Sequence, residues 1–155
     1  MSRRADRKHA FCLIFQLEFN DSYYKQRMFD RYRESEPSLA DADLDIVRDS
    51  FFGVCDNQKR IDGIIAELAV GWSFPRLSKI DLALLRFGVY EILFTGISDK
   101  IAVNEAVELA KTYSDDESGS FINGILASVI KQKDSLRARI GNGDSQGENL
   151  EREPD

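Results

Sequence analysis

Apolar residues return along this chain in steps of three and four, and almost nowhere in steps of two. That spacing marks helices with one buried face, because positions i, i+3, i+4 and i+7 share a side of an α-helix. The first pattern predicts a helix from about Ser2 or Arg3 to Phe19, with Ala10, Phe11, Ile14 and Phe15 on one buried stripe. Asp21 and Ser22 can cap a second helix through Tyr24, Met28 and Tyr32. Glu34–Ala40, which holds Pro37, reads as a linker. The most regular pattern occupies positions 44, 47, 51, 54, 58, 61, 65 and 68, all apolar except Gln58. It predicts one long helix from about Asp41 to Val70, on the order of 45 Å at about 1.5 Å per residue. A break near Asp56–Gln58 is the alternative, and Gly71-Trp72-Ser73-Phe74-Pro75 ends the pattern.

Three further helical patterns fill Lys79–Ile130. Ser78 followed by Asp81 is a capping-box variant for a fourth helix running to Phe94, with Gly96 at its C′ position. A fifth spans about Ala102–Tyr113. Asp115-Asp116-Glu117 then places negative charge at the start of the last helix, where the macrodipole favours it, with Ser118 as its cap. Lys131, Lys133, Arg137 and Arg139 complement its other end. Arg86, Glu91, Asn104, Glu105 and Asn123 recur inside apolar runs, which implies a core closed by specific polar contacts. Asn104, Glu105 and Asn123 read as buried groups that tie helix ends together. The expectation is an all-α domain over residues 1–140, with six or seven helices in two packed bundles. From Gly141 the chain turns to Gly, Asn, Ser, Gln and Glu, and 141–155 reads as a disordered acidic tail.

A hydrophobic content of 43% in 155 residues supports a real interior. No run reaches the roughly 18 apolar residues of a membrane span, and the apolar stretch Phe11–Phe15 is too short for a secretory signal. The chain reads as cytoplasmic. Cys12 and Cys55 form no CxxC pair and imply no zinc site; they read as structural thiols. A catalytic pairing of Cys12 with His9, the one histidine, has only helical spacing in its favour. No glycine-rich phosphate loop and no E-x-x-H metal pair occurs. Neither an enzyme nor a cofactor is expected.

The net charge of −6 is unevenly spread. Residues 1–33 carry eight Lys/Arg against four Asp/Glu, and residues 34–56 carry one against seven. Residues 57–140 balance at eleven each, and 141–155 carry one Arg against five acids. Nucleic acid is repelled by such a protein at long range, so RNA binding requires a local basic patch. Arg3, Arg4, Arg7 and Lys8 are the candidates; on a helix Arg3 and Arg7 share a face, as do Arg4 and Lys8. Asp6 interrupts them, and a solvated helix end is the plainer alternative. Phe121, in G-S-F-I-N-G, can stack a base if exposed, or fill the core beside Ile125.

The runs K-I-D-L-A-L-L-R-F-G-V-Y-E-I-L-F, N-E-A-V-E-L-A-K and F-I-N-G-I-L, with the start Arg3-Arg4-Ala5-Asp6-Arg7-Lys8, closely resemble the NusB family of bacterial transcription antitermination factors. The resemblance covers roughly Arg3 to Val129. It implies a non-catalytic adaptor that holds boxA-type RNA jointly with NusE, a small-subunit ribosomal protein. Such an adaptor helps couple that RNA to elongating RNA polymerase, notably on ribosomal RNA operons. It implies RNA contacts from Arg3, Arg4, Arg7 and Lys8 and from Glu117, Ser118, Ser120 and Phe121, and a NusE contact from Phe15 and Asp81. This sequence departs from the family at three of these places. Phe15 is often tyrosine in relatives, Asp81 is usually glutamate, and Gly119-Ser120 stands where relatives often carry a basic residue. Some relatives self-associate and bury their RNA surface, so a homodimer is among the expected states. A module that binds a protein partner without RNA is the alternative, favoured by Asp6 and the −6 charge.

Overall fold

The computed structural model describes residues 3–69 and 77–141, and no strand occurs among them. The chain forms α1 (Arg3–Phe15), α2 (Lys25–Ser35), α3 (Leu44–Asp56), α4 (Gln58–Leu68), α5 (Lys79–Phe94), α6 (Asp99–Tyr113) and α7 (Asp116–Lys131). A last helix, α8, covers 133–141 after a turn at Gln132. The fold is all-α as expected, with eight α-helices among the described residues, slightly more than predicted. Short 3-10 turns at Gln16–Glu18, Ser22–Tyr24 and Pro37–Asp41 join the early helices. The Gly71–Pro75 stop signal and residues 142–155 of the acidic tail lie outside the described residues; Gly141 itself is helical.

Helix α5 is the centre of the molecule. Apolar on nearly every side, it buries a continuous run from Leu82 to Val89 and then Glu91, Ile92 and Leu93, the pattern of a helix enclosed by others. α1 and α3 pack on it from one side and α4, α6 and α7 from the other, so two bundles share this one element. Ser78 caps it as expected, its Oγ accepting from the Asp81 N–H at 3.0 Å. Its far end is not closed by a left-handed glycine at Gly96. Thr95 Oγ1 instead donates to the Glu91 carbonyl at 2.6 Å and accepts from the Ile97 N–H at 3.1 Å. Arg137 of α8 donates to the carbonyls of Ile92, Leu93 and Thr95, which satisfies acceptors that a helix end leaves open.

The long helix expected over 41–70 is two helices, and the break falls at the alternative position. Asn57 is the cause. Its side-chain Nδ2 donates to the Gly53 carbonyl at 2.8 Å, the acceptor its own N–H would use in a continuing helix. The Asn57 N–H turns to Val54 O, three residues back, and the residue adopts φ −117°, ψ 14°. The break lets α3 pack on α1 while α4 turns to α5 and α7. Asp43 caps α3 by accepting from the Ile46 N–H at 3.2 Å, and Asp21 caps its 3-10 turn by accepting from Tyr23 at 2.8 Å.

Two helical glycines have opposite roles. A Cβ on Gly53 would lie 2.3–2.4 Å from the Tyr90 ring, which is itself stacked on Phe94, so α3 approaches α5 only because that Cβ is missing. A Cβ on Gly63 would meet nothing within 4 Å. Gly63→Ala should therefore stabilise the fold by about 0.4–1 kcal/mol through loss of unfolded-state freedom. Gly53→Ala should destabilise it by about 1–3 kcal/mol through overpacking. Urea denaturation of the two variants tests both signs.

Candidate nucleic-acid interface

Helix α1 has a charged face and a buried face, and the basic cluster is divided between them. The buried stripe runs back from Leu17 through Leu13, Ile14 and Ala10 to Asp6 and Arg7. Asp6 accepts from the Asp43 N–H at 3.1 Å, tying α1 to the start of α3. Arg7 meets Glu91 of α5, with Nε 3.2 Å and Nη2 3.1 Å from Oε2, and both side chains are almost fully enclosed. The expectation that Arg7 contributes to an exposed basic patch is thereby corrected, and Asp6 no longer dilutes that patch. A charged pair at this depth needs a partner, because leaving either ion unpaired in the interior is costly. Arg3 is the first residue of α1.

Arg4 and Lys8 occupy the exposed face. Arg4 makes a bidentate contact with Glu105 of α6, Nε to Oε1 at 3.1 Å and Nη2 to Oε2 at 2.8 Å, while its side chain stays 65% exposed. That hydrogen bond holds the Glu105 carboxyl below its ordinary value against the opposing effect of partial burial. Glu105 thus links α1 to the middle of α6, half-buried where a buried group was expected. Asn104 and Asn123, expected to be buried, are exposed.

The start of α7 lies further along the same α6. Asp115, not Ser118, is the N-cap, its Oδ1 accepting from the Ser118 N–H at 2.7 Å. The Ser118 side chain is buried and donates to Asp81 Oδ1 of α5. Its hydroxyl therefore points inward, away from the surface expected to meet RNA. Glu117 and Ser120 are exposed, and Phe121 is half-buried against the core. A Cβ on Gly119 would sit 3.5 Å from Val107 and 3.7 Å from Lys111 of α6. Lys111, exposed and 3.8 Å from Glu108, thus supplies a cation beside Gly119-Ser120. Sequence reasoning missed this residue; it closes the N-E-A-V-E-L-A-K run.

Phe15 and Asp81 flank a second surface. Phe15 is half-buried between Phe11, at 6.3 Å between ring centroids, and Phe19, at 5.7 Å edge-on. Phe19 is 61% exposed, and Lys79 Nζ sits 4.7 Å above its ring. This cation–π contact brings the end of α1 to the first turn of α5, which carries Asp81. Asp81 does not close a capping box on its own helix, since its carboxylate is turned to Ser118.

The sequence profile of the NusB family matches residues 4–131. The chain belongs to the NusB family. It is 44% identical over 134 residues to the transcription antitermination protein NusB of Acetivibrio thermocellus, covering 86% of this chain and 91% of the relative. The corresponding protein of Ruminiclostridium cellulolyticum is 44% identical over 132 residues, 84% of this chain and 90% of its own. Among solved structures, NusB of T. maritima superposes with a TM-score of 0.71 at 32% identity, covering 85% of this chain and 92% of that one. A chain in the crystal structure of a plectonemic RNA supercoil superposes with a TM-score of 0.72 at 25% identity, covering 83% and 94%. The family is thus one of transcription antitermination, and its fold is the one described above.

Other reactive groups of the chain are held in structural contacts. Burial pushes the Cys55 thiol up to about 12, and it also raises Cys12, against an opposing hydrogen bond from Tyr32. His9 Nδ1 shares a hydrogen bond of 2.7 Å with the Tyr32 hydroxyl, so the helical spacing of His9 and Cys12 produces no such pair between them. Among the described residues no cluster of three or more His, Cys, Asp or Glu could hold a metal. No helix there is long and apolar enough to cross a membrane.

The two arginines of α1 should separate cleanly in a melting experiment. Arg7→Ala leaves Glu91 buried without this partner and should cost about 3–5 kcal/mol, a fall in Tm on the order of 10 °C for a domain of this size. Arg4→Ala should leave Tm nearly unchanged. Equal Tm for both variants would place the Arg7–Glu91 pair in solvent.

Proposed function

We propose that this protein is a non-catalytic adaptor that holds boxA-type single-stranded RNA jointly with NusE and helps couple it to elongating RNA polymerase, supporting antitermination on ribosomal RNA operons. One observation carries the reading: Arg4 of α1 and the Glu117–Phe121 turn of α7 are both seated on the same helix, α6, with Lys111 beside the turn. Taken together, these cations for phosphates and this aromatic for a base are the combination that single-strand binding uses. RNA would be held by Arg3, Arg4, Lys8 and Lys111, with Glu117 and Ser120 at the rim and Phe121 offering its accessible edge. Ser118 positions the turn from beneath. NusE would meet the surface around Phe15, Phe19 and Asp81. A homodimer formed through the RNA surface would compete with RNA.

A second reading, a module that binds its protein partner without RNA, is favoured by the interior position of Arg7 and by the pairing of Arg4 with Glu105. Calorimetric titration of NusE with and without boxA RNA separates the two. Cooperative ternary assembly supports the first, and affinity for NusE indifferent to RNA supports the second.

The basic face gives a quantitative test. Four cations engage at most about four phosphates, so the logarithmic salt slope for single-stranded RNA should be no steeper than roughly −3. Arg4→Ala with Lys8→Ala should reduce that slope by about 1.4 and weaken binding roughly tenfold at 0.15 M salt. Unchanged affinity in the double variant makes this face a solvated helix end.

Asp81 is tested by two substitutions. Asp81→Asn keeps an acceptor for Ser118 and loses the charge, whereas Asp81→Ala loses both. A charge facing NusE predicts that both variants weaken the complex by about 1–3 kcal/mol. Full affinity in Asp81→Asn confines the residue to holding Ser118.

A further inference from the structure

On the face formed by α4 and α8 lies a groove of about 310 Å³, lined by Lys59, Arg60, Gly63, Ile64, Leu136, Arg139 and Ile140. Among the described residues its lining carries three cations and no carboxylate, over a floor of buried Ile64 and Leu136. Gly63 deepens it, since no atom lies within 4 Å of where its Cβ would be. Arg60 also donates to Asn57 Oδ1 at 3.3 Å, and Arg139 pairs with Glu67 at 3.0 Å, both at the edges of the groove. The arrangement is amphipathic: an apolar trough with a cationic rim.

We propose that this groove is the docking site of the chain's own acidic segment, residues 142–155. The segment begins at Asn142, two residues after Ile140 and three after Arg139 of the groove lining. It carries Asp144, Glu148, Glu151, Glu153 and Asp155 against Arg152, and one leucine, Leu150, among them. The nine residues from 142 to 150 span at most about 30 Å, ample to bring Leu150 to the apolar floor and the glutamates to Lys59 and Arg60. Charge and apolar pattern both match. Tethering supplies the affinity: a short covalent connection holds the segment at an effective concentration of millimolar order, so millimolar intrinsic binding suffices for substantial occupancy. The docked segment covers a cationic surface separate from the Arg4, Lys8 and Lys111 face and screens it from other polyanions. This inference does not depend on the reading of the RNA surface.

Zero-length carbodiimide cross-linking of the full chain tests it, because the reagent joins a carboxylate to a lysine amine only at contact. Cross-links from Glu148, Glu151 or Glu153 should concentrate on Lys59, above those to Lys131, which is nearer to the segment in sequence. Raising the salt to 1 M should suppress them. Gly63→Leu fills the trough without changing any charge, and Arg60→Glu reverses one rim charge; both keep Lys59. Each should lower the Lys59 yield about threefold or more, with the circular dichroism spectrum and Tm showing that the variant is folded. If one variant fails to fold, the other carries the test. Cross-links spread evenly over the lysines, or a Lys59 yield indifferent to salt or to the folded variants, would overturn the proposal.

Discussion

Everything in this fold depends on how two charges are accommodated in a helix that has no solvent side. α5 is enclosed by both bundles, yet it carries Arg86 and Glu91 within its buried run. An isolated ion there would cost several kcal/mol, so each needs a counter-charge from a neighbouring helix. Arg86 receives a bidentate contact from Asp62 of α4, at 2.8 and 2.9 Å, with Glu18 3.8 Å away on its other side. Glu91 receives Arg7 of α1. The two pairs point to different helices, one in each bundle, and so fix how both sit against the centre. Apolar packing alone would tolerate sliding; a guanidinium facing a carboxylate in the interior does not.

The same constraint shapes the surface. Because Arg7 and Asp6 are drawn inward, α1 presents Arg4 and Lys8 alone among the described side chains of its basic start, one helical turn apart. Arg4 is steadied by Glu105, and α6 thereby contacts both the basic start of α1 and the first turn of α7. The break at Asn57 serves the other side of the molecule. It frees α4 to carry Asp62 to Arg86 and to form, with α8, the groove around Gly63.

Most of the fold was legible in the sequence, because helical periodicity reports which face is buried whatever it is buried against. The caps at Asp21 and Ser78 were legible for the same local reason, as was the family, whose motifs in the second half are continuous runs. The stripe on α1 could have been extended back by helical steps from Leu13 and Ala10 to Asp6 and Arg7, but charged residues at those steps read as surface. What sequence could not supply were the partners. Glu91 lies 84 residues from Arg7 and Glu105 lies 101 from Arg4, and no local pattern links such positions. Asn104 and Asn123 were misread as buried because they sit in apolar runs, although the rest of those runs turns them outward. At Asn57 the apolar rhythm of 44–68 continues across the break, since a side-chain amide that takes a backbone acceptor leaves hydrophobic spacing untouched.

The hydrogen bond from Ser118 to Asp81 joins the first turn of α7 to the first turn of α5. One carboxylate oxygen therefore serves two places: the support beneath the Glu117–Phe121 turn, and the surface shared with Phe19 and Lys79. A ligand that recruits Asp81 must share that oxygen with the serine or displace it, and a ligand that reorders the turn changes the charge density Asp81 presents. Thermodynamic linkage makes the effect equal in both directions, so whatever free energy the turn loses when Asp81 is engaged is lost again by the Asp81 side when the turn is engaged. A single part-buried side-chain contact thus ties the support of the α7 turn to the carboxylate at the start of α5, with no movement of a helix required.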